Sequence, residues 1–79
     1  MAEAYVLIKV TPGYERNIVK SLKDLPEIQV INELYGEWDI ITRASVERIE
    51  DLDDLLSEKI RKIEGVTLTS TMIVADYKH

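Results

Sequence analysis

Seventy-nine residues without a cysteine leave room for one domain, 1–79, with no disulfide and no thiolate to offer a metal. Fifteen Asp and Glu against ten Lys and Arg give a formal charge of −5 and a pI of about 4.8, which excludes a general electrostatic footprint for nucleic acid. No apolar window approaches the ~18 residues of a membrane span and Met1-Ala2-Glu3-Ala4 does not open a secretory leader, so a cytoplasmic chain without membrane contact is expected.

Tyr5-Val6-Leu7-Ile8-Lys9-Val10 alternates as a strand, with Ala4, Val6, Ile8 and Val10 on one face and Tyr5, Leu7 and Lys9 on the other. Both faces carry apolar groups. Thr11-Pro12-Gly13 ends the strand, and Thr11 is expected to cap a helix with Pro12 at its first position. Tyr14, Ile18, Leu22 and Leu25 recur at helical spacing, Val19 widens the stripe, and Pro26 stops it.

Two more strands follow. Ile28 to Tyr35 places Ile28, Val30, Asn32 and Leu34 opposite Gln29, Ile31, Glu33 and Tyr35; Trp38 to Ala44 places Trp38, Ile40, Thr42 and Ala44 opposite Asp39, Ile41 and Arg43. Between them, a connection of two or three residues around Gly36 predicts a hairpin whose tip carries an aromatic and two carboxylates.

Ser45 is expected to cap the second helix, with Glu47, Glu50, Asp51, Asp53 and Asp54 complementing its dipole. Ile49, Leu52, Leu55, Leu56, Ile60 and Ile63 form its apolar stripe, and Gly65 is its expected C′ residue. Val66 to Ala75 closes the chain as a long strand, rich in threonine first and hydrophobic later.

The order βαββαβ predicts an α+β, ferredoxin-like antiparallel sheet with both helices on one face. The other face would expose Tyr5, Leu7, Ile31, Tyr35 and Ile41, with Ile73 and Ala75 if the register holds. So small a chain buries only about 60% of its unfolded surface. Six or so apolar groups at roughly 1.5–3 kcal/mol each predict that two sheets pack face to face across a two-fold axis.

Five features carry a family resemblance: the strand Tyr5 to Val10, the turn Pro12-Gly13, the hairpin signature Gly36-x-x-Asp39 followed by Ile40, the helix exit Ile63-Glu64-Gly65-Val66, and Thr69-x-Thr71-x-Ile73-Val74. In order and at this spacing they resemble, over nearly the whole chain, the effector-binding RAM domain of the Lrp/AsnC, or feast/famine, transcription regulators. Members usually carry an N-terminal helix-turn-helix and linker. Here the first sheet strand begins almost at once, so the chain looks like a stand-alone RAM module that does not bind DNA directly. The resemblance implies homodimers that assemble further, an octamer being the expected form. It also implies an amino-acid effector held between dimers near the hairpin tips, no cofactor, and a full-length Lrp/AsnC regulator as a possible co-assembly partner.

Carried over position by position, the ligand-binding candidates are Tyr35, Gly36, Glu37, Trp38 and Asp39 from the tip, with Thr69 and Thr71 from the last strand. A free amino acid needs donors for its carboxylate and an acceptor for its ammonium. Gly36 permits close backbone approach, Asp39 can take a cation, and threonine hydroxyls can bond either end. The plainer reading is also open: Gly36 serves the turn, Asp39 caps it, Trp38 is core, and the threonines reflect strand propensity.

Glu47, Glu50, Asp51, Asp54 and Glu58 read as the solvated side of a helix rather than a metal face. His79, the only histidine, is expected to fray with the chain end. With no cysteine, no internal histidine and no phosphate-binding glycine loop, catalysis finds no support. A small dimeric ferredoxin-like enzyme of the monooxygenase or isomerase type is the alternative, and would need a polar pocket within one subunit.

Overall fold

The period-two pattern of β1 (Ala2–Val10) makes it the pivot of the sheet, with Ala4, Val6 and Ile8 fully buried. A computed structural model describes residues 1–75; His79 lies outside them. β1 is followed by α1 (Glu15–Lys23), β2 (Ile28–Glu33), β3 (Ile40–Val46), α2 (Ile49–Asp54) and β4 (Val66–Ile73). The strands form one antiparallel sheet in the order β2-β3-β1-β4, and the helices cover one face, as the alternation and helical stripes require. Ile40, Ala44 and Val46 of β3 join the β1 residues in a core with Ile18 and Leu22 of α1 and Leu52 of α2. Among the described residues Thr42 is the one polar residue buried as a whole, and its Oγ1 donates to the Val6 carbonyl at 3.2 Å.

Both helices start later than their sequence signals suggest. Tyr14 N–H donates to the Thr11 carbonyl at 3.0 Å, and Gly13 takes φ 97°. Proline second and a positive-φ glycine third make the type II pattern, so Pro12 belongs to a turn and the helix begins at Glu15. Ser45 likewise stays in β3, its N–H held by the Glu27 carbonyl at 2.9 Å. The α2 entry is instead fixed by Asp51, whose Oδ2 accepts the Arg48 N–H at 3.2 Å. Ile49, expected in the buried stripe, is exposed.

Past Asp54 the helix continues over Leu55–Ile60 in wider π-type turns, with Arg61 N–H reaching the Leu56 carbonyl five residues back at 2.9 Å. Leu55, Leu56 and Ile60 all face the core. Lys59 leaves this segment to donate to Glu27 Oε2 at 2.7 Å, and that ammonium holds the Glu27 carboxyl below its usual range.

The open sheet face is apolar, as expected, but through a partly different set of residues. Ile28 pairs with Ala44 and Val30 with Arg43, so Gln29 is an extra residue that bulges β2. Ile28 and Ile31 therefore both pack against the core, and Val30 and Asn32 take the open side. On β4, Met72 stands opposite Tyr5, Ser70 opposite Leu7 and Leu68 opposite Lys9, whereas Ile73 shares the helix-side face of Ala4. Leu68 and Met72 thus replace Ile73 and Ala75 on the open face, where they are 55% and 49% exposed. Arg43 lies on this face too, paired with Glu3 and with its guanidinium 5.7 Å from the Tyr5 ring centre.

Candidate ligand-binding site

Between β2 and β3 the chain makes a six-residue loop, Leu34 to Asp39, longer than the connection read from the sequence. Its neck closes where Leu34 N–H donates to the Asp39 carbonyl at 2.8 Å. Asp39 then ties the loop to the central strand twice: its N–H donates to the Ile8 carbonyl at 3.0 Å, and its Oδ2 accepts the Val10 N–H at 2.8 Å. The carboxylate stands in for the backbone carbonyl that β3 would have offered one step further. Its position is set by the ladder beneath it.

Above this neck Tyr35 is 108% exposed, Gly36 and Glu37 are exposed, and Trp38 is half-buried. Where Gly36 would carry a Cβ there is no atom within 4 Å, so its backbone is open to approach. The N–H groups of residues 35–38 donate no hydrogen bond among the described residues. Beside them lies a cleft of about 370 Å³ lined by Glu15, Glu33, Leu34, Tyr35 and Asp39. Unspent backbone donors next to three carboxylates suit a small zwitterion: the loop N–H groups complement its carboxylate and the acids its ammonium.

Sequence reasoning named the tip but missed Glu15 and Glu33. Glu33 is the last residue of β2 and Glu15 the first of α1; only the packing of α1 beside β2 brings them to the tip. Thr69 and Thr71 stand apart, opposite Ile8 and Val6 on β4, with β1 between them and β3. Two ladder steps separate them from β3, roughly 10 Å. Thr69 Oγ1 accepts from Arg61 Nε at 3.3 Å, a partner the sequence did not announce. A single chain thus gathers Tyr35 and Asp39 at one cleft and leaves both threonines outside it.

The hydrogen bonds to Asp39 carry a prediction. Asp39→Ala strands the Val10 N–H and is expected to cost about 1–3 kcal/mol, whereas Asp39→Asn keeps an acceptor and should cost under about 1 kcal/mol. Thermal unfolding of the pair decides it: equal losses would show that the acceptor at this position does not matter.

Sheet, helices and tip together define a ferredoxin-like α+β domain with its polar loop at one sheet end. Residues 3–77 match the family model of the Lrp/AsnC ligand-binding domain, and the chain belongs to that family. An uncharacterized HTH-type transcriptional regulator of Pyrococcus abyssi is 32% identical over 75 residues, covering 95% of this chain and 48% of the relative. The HTH-type transcriptional regulator FL11 of Pyrococcus furiosus is 35% identical over 71 residues, covering 90% and 46%. The chain thus spans about half the length of the curated relatives it matches. Among solved structures, a hypothetical protein from Pyrococcus horikoshii aligns over 100% of this chain and 94% of its own, at 37% identity and TM-score 0.89. A transcriptional regulator from Neisseria meningitidis, solved as its L-Met complex, shares the fold at 17% identity and TM-score 0.89, over 99% of this chain and 53% of its own.

No helix among the described residues is long and apolar enough to cross a membrane.

Proposed function

We propose that this domain is an amino-acid sensor whose ligand site forms where copies of the chain meet, and that it modulates Lrp/AsnC-type transcription regulators rather than catalysing a reaction. The observation that supports the reading is the tip itself: unspent N–H groups at residues 35–38 beside the acids Glu15, Glu33 and Asp39, on a surface cleft. That the Neisseria regulator of the same fold was solved as its L-Met complex supports an amino acid as the ligand class. On this reading Tyr35, Gly36, Glu37, Trp38 and Asp39 contact the ligand from one dimer, and Thr69 and Thr71, remote from the tip within one chain, contribute from another.

The dimer forms through the open sheet face. Tyr5, Val30, Leu68 and Met72, with the half-buried Leu7 and Ile41, supply its apolar surface, and four such dimers make the expected ring. Its working compartment is the cytoplasm, alone or co-assembled with a full-length regulator.

A ligand held between dimers stabilises their contact by about 2.7 kcal/mol at a hundredfold excess over Kd, and linkage makes assembly tighten the ligand in return. A thermal-shift and light-scattering screen of the proteinogenic amino acids, begun with L-methionine, tests this. At least one is expected to raise Tm by roughly 10–20 °C and change the particle mass. If none shifts either quantity, the sensing reading fails.

A further inference from the structure

The two helices expose stripes of opposite charge that the ligand reading does not use. On α1, Arg16, Lys20 and Lys23 fall at i, i+4 and i+7, on one side of the helix, and all three are exposed. On α2, Glu50, Asp53 and Asp54 occupy the side away from buried Leu52, and all are exposed. Among the described residues none of these six charges forms an ion pair; the pairs present are Arg43–Glu3, Lys59–Glu27 and Lys62–Glu58.

We infer that the helical layer is a second self-association surface, on which the basic stripe of α1 in one copy docks against the acidic stripe of α2 in another. Three unpaired cations on one helix match three unpaired anions on the next, and the same chain carries both halves. Two copies meeting layer to layer can satisfy both contacts at once, α1 on α2 and α2 on α1, which closes under a two-fold axis.

The overall charge sharpens the choice of partner. Chains of net charge −5 repel one another on average, so an approach that sets Arg16, Lys20 and Lys23 over the partner's acidic helix is singled out electrostatically. Nucleic acid fits worse, because Glu15 and Glu33 flank the basic stripe at its tip end and the footprint is only three charges wide.

A shallow groove of about 540 Å³ runs along Arg16, Val19, Lys20 and Lys23, and its Glu15 and Glu33 end is shared with the tip cleft. A helix seated in it would border Tyr35 and Asp39. Single exposed pairs contribute little, so the stripe acts by steering and orientation and weakens as salt screens it.

Sedimentation velocity on the wild type and on two charge-reversed variants, Lys20→Glu with Lys23→Glu and Asp53→Lys with Asp54→Lys, tests the inference at about 20 mM and about 500 mM NaCl. In amino-acid-free buffer, where the ligand-linked tip contact is not engaged, the wild type is expected to exceed dimer mass at low salt and to return to the dimer at high salt. Each variant should stay dimeric in both, and an equimolar mixture of the two should regain the larger particle, because reversed α1 now meets reversed α2. A single chain carrying all four reversals should regain it alone, which also guards against a folding defect in either variant. A wild type that never exceeds the dimer at low salt, a reversal that leaves the larger particle unchanged, or a mixture that fails to restore it overturns the inference. None of the substituted residues lies on the sheet face or among the tip candidates, so these outcomes are read apart from the amino-acid screen.

Discussion

If the proposed sheet-to-sheet dimer forms, Ile41→Glu is expected to leave the four-stranded fold intact and to reduce that dimer to a 9.1 kDa monomer. Ile41 stands directly opposite Leu7 on β1 and Asn32 on β2, in a row across the open face that ends at Ser70. Its side chain points away from the helices, so in the monomer a glutamate there keeps access to water. In the proposed dimer a two-fold axis would present the substitution twice. An unpaired carboxylate taken out of water costs several kcal/mol, so two cost about 6 kcal/mol, roughly four orders of magnitude in the dimer dissociation constant. Sedimentation equilibrium with far-UV circular dichroism checks both halves of the expectation. A folded variant that remains dimeric would move the dimer interface off this face.

What the sequence revealed, and what it hid, divides along local and non-local causes. β1 was legible because Ala4, Val6, Ile8 and Val10 alternate without interruption, and β3 because Ile40, Thr42 and Ala44 do the same. β2 was not, since nothing in Ile28-Gln29-Val30-Ile31 marks Gln29 as the bulged residue; its pairing with Ala44 and Arg43 decides that. Threonines hid the facing of β4. Thr69 and Thr71 point to the helix side while Leu68 and Met72 face out, a pattern opposite to polarity that an edge strand tolerates when the helices leave it partly bare.

The same division holds at the site. Gly36-x-x-Asp39 marked the loop, since glycine and a short acidic residue serve a turn locally. That Asp39 is bound to Val10, and that Glu15 and Glu33 share its cleft, depends on residues distant in the chain.

The largest loss of stability is expected from Gly65→Ala. Gly65 ends the second helical segment at φ 99°, where a side chain is strained by about 1 kcal/mol. Space is the larger problem: an added Cβ would lie 2.4 Å from Tyr14 Cβ and 2.6 Å from its Cγ. Rotation about χ1 can shift Cγ, but Tyr14 Cβ is fixed to the backbone, so no rotamer change clears it and the backbone must move. The backbone is held, because Thr11 N–H donates to the Gly65 carbonyl at 2.8 Å and Tyr14 N–H to the Thr11 carbonyl at 3.0 Å. Strain and overpacking together cost about 2–4 kcal/mol, a fall in Tm of roughly 10–25 °C for a domain this small.

Gly13→Ala separates the two contributions. Gly13 has nearly the same φ, 97°, but nothing stands within 4 Å of its Cβ position, so only the backbone cost of about 1 kcal/mol remains. Thermal melts of the two variants side by side are decisive: equal losses would remove the Tyr14 contact as the reason for glycine at 65. A clearly larger loss in Gly65→Ala than in Gly13→Ala ties the helix exit to the turn that starts α1. Because Glu15 directly follows that turn and lines the tip cleft, the packing of Tyr14 on Gly65 then helps set where one of the cleft's three acids stands.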